Sequence, residues 1–119
     1  MEKVNLREKL NKFNQLWSPK IIGELNESYI KVAKLKGEFI WHKHEKEDEL
    51  FFVVNGKLVI KLREKDIHLK EGEFFIIPKG VEHLPVAEDE VHVMLIEPKS
   101  TLNTGNVINE KTQESLDWI

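Results

Sequence analysis

The stretch Leu50-Phe51-Phe52-Val53-Val54-Asn55-Gly56-Lys57-Leu58-Val59-Ile60-Lys61-Leu62 decides the fold class. Two runs rich in Val, Ile, Leu and Phe flank Asn55-Gly56. β-Branched and aromatic side chains suit a pleated, half-buried strand, and Asn-Gly supplies the positive φ angles of a type I′ turn, so the stretch predicts a β-hairpin.

The same pattern repeats outward from it. Arg63-Glu64-Lys65-Asp66 predicts a charged turn, after which Ile67 and Leu69 alternate with His68 and Lys70. Glu71-Gly72 turns the chain again, and Phe74-Phe75-Ile76-Ile77 reads as a short buried strand closed by Pro78-Lys79-Gly80. Val91 to Ile96 is the last clear strand, ending at Glu97-Pro98, and upstream Tyr29 to Leu35 alternates at period two. Helical periodicity is absent from Ile21 to Glu97. Short strands with regularly spaced turns predict an all-β, antiparallel sandwich or barrel over 21–97.

Both flanks read differently. Asn5, with Glu8 three residues on, resembles a capping box, and Leu6, Leu10, Phe13 and Trp17 recur at intervals of three and four. A helix packed over the domain is expected within 1–18, ended by Ser18-Pro19 because the residue before a proline avoids the helical region. Residues 98–119 carry Thr, Asn and Gly without a period and predict an irregular arm whose end is anchored by Trp118.

The chain has 119 residues, 40% hydrophobic and 33% charged, which suits one globular domain spanning 1–119. Net charge is −3 and Lys alternates with Glu, so no basic block offers a nucleic-acid footprint. No apolar run approaches the roughly 20 residues of a membrane span, and the N-terminus lacks a signal-peptide core; a cytoplasmic location is the expectation. There is no Cys, so any metal has to be held by His nitrogen and carboxylate oxygen.

Four residues point to such chemistry. His42 and His44 lie two apart in the strand-like stretch Phe39-Ile40-Trp41-His42-Lys43-His44, which puts both imidazoles on one face. Glu49 opens an apolar strand, where a carboxylate costs free energy unless it is paired or metal-bound. His83 follows the tight turn Pro78-Lys79-Gly80. Taken singly, each has a plainer reading: surface histidines among lysines, one more member of the acidic run Glu45 to Glu49, and a loop histidine satisfied by backbone.

Together they form two motifs. Gly37, His42-x-His44, four residues, Glu49, six residues and Gly56 make the first; Gly72, five residues, Pro78-x-Gly80, two residues and His83 make the second. This two-part pattern resembles that of the cupin superfamily. Two positions depart from it: Gly37 precedes His42 by four residues instead of five, and Ala87 stands where the family has Asn, which leaves a role at that position without support. The tail from Glu97 to Asn106 is similar to that of small single-domain cupins related to mannose-6-phosphate isomerase by barrel only.

The resemblance implies an antiparallel double-stranded β-helix, or jelly-roll barrel, of six to eight strands with a short N-terminal helix. It implies that His42, His44, Glu49 and His83 ligate one divalent metal ion (Fe, Mn, Ni, Cu, Co or Zn), and that the protein forms a homodimer. Strand alternation places Ile40, Phe51, Val53, Pro85 and Ala87 on the ligands' faces as the expected pocket wall, or equally as filled barrel core. The expected function is that of a small metalloenzyme acting on a small organic molecule, of dioxygenase, isomerase or decarboxylase class. A non-enzymatic module that binds metal or a small molecule is the alternative.

Overall fold

The computed structural model describes residues 1–119. In chain order they form α1 (Leu6–Leu10), β1 (Lys20–Leu25), β2 (Ser28–Glu38), β3 (Glu49–Asn55), β4 (Lys57–Leu62), β5 (Asp66–Lys70), β6 (Phe74–Ile77) and β7 (His83–Pro98). The ladders are antiparallel, in the order β1-β2-β7-β3-β6, with β4 pairing both β7 and β5. No helix is long and apolar enough to cross a membrane.

The 16-residue β7 carries the architecture. One edge pairs with β2 from Ser28↔Pro98 to Glu38↔Val86. The other meets β3 along His92–Ile96 and β4 along His83–Val86. This overturns the expected hairpin: β3 and β4 do not pair with each other but follow one another along β7. Asn55 does not adopt the positive φ that a type I′ turn requires. Gly56, at φ +98°, instead lets the chain pass so close to β7 that a Cβ would lie 3.1 Å from the Glu90 carbonyl oxygen. The hairpin that does form joins β4 to β5, where Leu62 N–H donates to the Lys65 carbonyl (2.8 Å).

Inward-facing residues of six strands, β2 to β7, build one core, including Ala33, Leu35, Phe51, Val53, Leu58, Ile60, Val91, Val93 and Leu95. β6 departs from expectation, since only Ile77 is buried while Phe74 and Ile76 are exposed. It pairs with β3 alone, which leaves its other edge unpaired, and the face carrying Phe74 and Ile76 is turned to solvent.

The helix is far shorter than the stripe suggested. Asn5 caps it by accepting from Glu8 N–H (3.0 Å), but it ends at Leu10. Lys34 pins the next segment in a non-helical course: its Nζ donates to the Phe13 carbonyl (2.6 Å) and its carbonyl accepts from Trp17 N–H (2.8 Å). Phe13 therefore joins Leu10, Ile22 and Val32 in an outer cluster, while Trp17 packs on the barrel core. Tertiary contacts of this kind override a marginal helical propensity. The C-terminal arm ends against β1, held by backbone hydrogen bonds between Ile21 and both Asp117 and Ile119, and the ring of Trp118 meets Tyr29 edge-on.

Candidate metal centre

Alternation along β3 turns Glu49, Phe51 and Val53 inward, and alternation along β7 does the same for His83, Pro85 and Ala87. His42 and His44 lie outside the regular strands. His42 is joined to His83 by paired backbone hydrogen bonds of 3.1 and 2.9 Å, and the His44 carbonyl accepts from Gly80 N–H (2.8 Å). Gly80 belongs to the turn that leads into β7, so one local arrangement gathers all three histidines.

All four side chains are buried, and one donor atom from each lies within 4.8 Å of the others. Glu49 Oε1 is 3.4 Å from both His44 Nε2 and His83 Nε2, and none of these three atoms has a hydrogen-bond partner. Two tautomers are set by the backbone. His42 Nδ1 is 2.8 Å from the Ile40 carbonyl and His83 Nδ1 is 2.9 Å from that of Val81. A carbonyl only accepts, so each Nδ1 carries the hydrogen and each Nε2 keeps a lone pair. Buried polar atoms without partners are costly. Here they converge at spacings near those of donors around one ion with bonds of about 2.1 Å. On this geometry the donor set fits a divalent metal.

Burial, reinforced by the nearby His83, lowers the pKa of His42 to about 4 from the ordinary 6.5, which keeps it neutral as a ligand must be. The metal-free protein should therefore lose stability as pH falls from about 6.5 to about 4. Across that window the unfolded chain takes up a proton that the folded ring refuses, a difference of about 3 kcal/mol. Urea unfolding of chelator-treated protein at both ends of the window, beside His42→Gln, checks this; equal pH slopes for the two proteins would remove the assignment.

A second buried group adjoins the centre. Glu97 continues the inward alternation of Val93 and Leu95, and its Oε1 accepts from Lys31 Nζ at 2.7 Å with both side chains 3% exposed. Burial and the Glu49 charge push Glu97 well above the usual carboxylate range, against the pull of Lys31. Burial likewise opposes the charged form of Glu49, but the close approach of Glu97, His44 and His83 outweighs it and holds Glu49 well below that range.

Beside these groups opens a narrow pocket of about 40 Å³. Trp17 and Phe39, stacked on each other with centroids 4.8 Å apart, line it, and Leu35, Leu95, Asn103, His42, Glu49 and Glu97 contribute to the wall. Of the expected pocket residues, Phe51 and Pro85 line it. Val53 and Ala87 do not, being one pleat deeper in the packed core, about 6.6 Å along their strands. Ile40 also stands outside the lining, because the regular strand stops at Glu38 and alternation does not extend back from His42. His68 is exposed, and His92 Nε2 is 2.7 Å from Glu90 Oε2 at the surface. Sequence reading passed over Lys31 and Glu97, although the period-two phase of their strands carried the signal.

Residues 29–97 match the cupin domain family. The chain is 40% identical over 63 residues to the uncharacterized protein YdbB of Bacillus subtilis, an overlap of 52% of this chain and 56% of that one. It is 28% identical over 93 residues to the 3-hydroxyanthranilate 3,4-dioxygenase of Xenopus tropicalis, an overlap of 69% and 32%. It thus spans about half and about a third of the length of these curated relatives. The crystal structure of a cupin-2 domain containing protein from Shewanella frigidimarina matches with a TM-score of 0.80 and 47% identity, over 81% of this chain and 94% of that one.

Proposed function

The chain belongs to the cupin family, and from that premise we propose that it is a small metalloenzyme whose His42, His44, Glu49 and His83 hold one divalent ion. The observation that carries this reading is the set of buried donor atoms that face one another without hydrogen-bond partners. An ion bound there supplies Lewis-acid or redox chemistry to a small organic molecule. Fe, Mn, Ni, Cu, Co and Zn all suit three imidazoles and a carboxylate.

The chain's own residues do the rest. His42 and His83 are held in one tautomer by the Ile40 and Val81 carbonyls, and Trp17, Phe39 and Phe51 give a bound molecule an apolar, ring-lined seat. None of the 12 lining residues is Lys or Arg, whereas two are glutamates. That supports an uncharged substrate, since beyond the bound ion an anionic group would meet carboxylates and no basic side chain. Among dioxygenase, isomerase and decarboxylase chemistry, the name of the Xenopus relative supports placing the dioxygenase first.

Elemental analysis of protein purified without added metal, followed by oxygen uptake on phenols, diols and thiols, tests the proposal. About one ion per chain is expected, with faster uptake on an uncharged phenol than on its carboxylate analogue. Wild-type protein that binds no divalent ion would overturn the metal reading. Full metal content with no turnover would favour a non-enzymatic binding module, a reading supported by the lack of any lining acid, base or hydroxyl beyond Glu97 and the ligand set. A homodimer completes the proposal: β6 leaves Phe74 and Ile76 exposed at a sheet edge that a second copy would cover. Sedimentation at about one chain's mass would remove it.

A further inference from the structure

Lys43 stands between two of the proposed ligands and belongs to no strand. On one side its neighbour His42 is tied to β7 through the two hydrogen bonds with His83. Along an extended chain, successive residues direct their backbone groups to opposite sides, so those of Lys43 require a partner elsewhere. The C-terminal arm provides it. Lys43 N–H donates to Asn106 Oδ1 (2.9 Å), and Asn106 N–H donates to the Lys43 carbonyl (3.0 Å). Gly105 packs so tightly that a Cβ would stand 2.2 Å from the Lys43 carbonyl oxygen and 3.2 Å from His42 Cδ2, and its φ of +56° favours glycine independently.

The arm is braced where it makes this contact. Thr104 is fully buried and shares a 2.6 Å hydrogen bond with Thr112, while Asn103 donates to the Lys111 carbonyl and accepts from Gln113 N–H. Ser100 donates to Glu47, in the loop that leads to Glu49 (2.8 Å). None of these contacts belongs to the ladders among β1 to β7 that close the barrel.

We propose that Gly105 and Asn106 are positioning residues of the metal centre, which clamp the His42-Lys43-His44 segment from the side opposite β7 and so pre-aim two of the four ligands. This rests on the metal reading above. Groups that orient metal ligands from behind typically contribute 10- to 100-fold in affinity.

The test uses full-length protein, Co²⁺ as the probe and chelator competition for affinity. Gly105→Ala and Asn106→Leu are expected to weaken Co²⁺ binding about 10- to 100-fold and to alter the visible spectrum of the cobalt-loaded protein. Metal-free Asn106→Leu should melt close to the parent, whereas metal-free Gly105→Ala should melt lower, because its Cβ meets the Lys43 backbone at a φ that favours glycine. Asn106→Asp, which keeps the Oδ1 acceptor, should restore parental affinity and spectrum. Parental affinity and spectrum in both Gly105→Ala and Asn106→Leu would overturn the proposal. So would equal losses of affinity and metal-free melting temperature in all three variants, because that pattern describes general destabilisation. Wild-type protein that takes up no Co²⁺ would fell the metal reading and this inference with it, an outcome distinct from wild-type binding with indifferent variants.

Discussion

Replacing His44 by leucine is expected to strip the protein of metal while leaving the metal-free barrel at least as stable as the parent. Both ring nitrogens of His44 are buried without hydrogen-bond partners, and each such atom costs about 1–3 kcal/mol. Leucine fills a similar volume with no polar atom, and the residue lies outside every ladder, contributing only a carbonyl to Gly80. Binding energies of about 10–16 kcal/mol for four-ligand zinc sites average about 3 kcal/mol per ligand, so one lost imidazole corresponds to over a hundredfold in affinity. Elemental analysis and melting with and without chelator give the readout. Chelation should lower the melting temperature of the parent, by linkage, and leave that of the variant unmoved. Unchanged metal content would remove His44 from the ligand set. Collapse of the metal-free variant would assign the ring a structural role.

Lys31→Met is expected to destabilise the protein by about 3 kcal/mol, the lower end of the range for breaking a buried ion pair. The Lys31–Glu97 pair is sealed from solvent at 2.7 Å. Removing the cation leaves Glu97 in the core beside Glu49. The cost stays at the lower end because burial already pushes Glu97 towards its protonated form. Joining Glu97→Leu to Lys31→Met should recover most of the loss, since two apolar chains of similar volume leave no charge unpaired. Urea unfolding of both singles and the double closes the cycle. A single-variant loss below about 1 kcal/mol, or a double variant no better than the single, would contradict this account.

Two aspects of the molecule were legible in the sequence for local reasons. Period-two alternation records which face of a strand is apolar, and it placed Glu49, Phe51 and Val53 on one inner face, as β3 shows. The spacing of His42, His44, Glu49 and His83 marked the four residues that the fold brings within 4.8 Å of one another. The same alternation ran through Lys31 and Glu97, but a lysine and a glutamate on separate strands read as solvated charges until the register joins them.

Partnership was settled only by the tertiary structure. Asn55-Gly56 satisfies the local demands of a hairpin, yet β3 and β4 pair with β7, because closing the barrel offers both of them the same long edge. Phe13 and Trp17 fit one helical stripe, yet Lys34 draws the segment straight and sends them to separate clusters. Gly105 and Asn106 sit in an arm without any period, and they meet Lys43 across 63 positions of chain. A local pattern encodes burial, which each residue carries in its own chemistry. Which segments meet is decided by the summed contacts of the whole closed barrel, and no short window of sequence contains that sum.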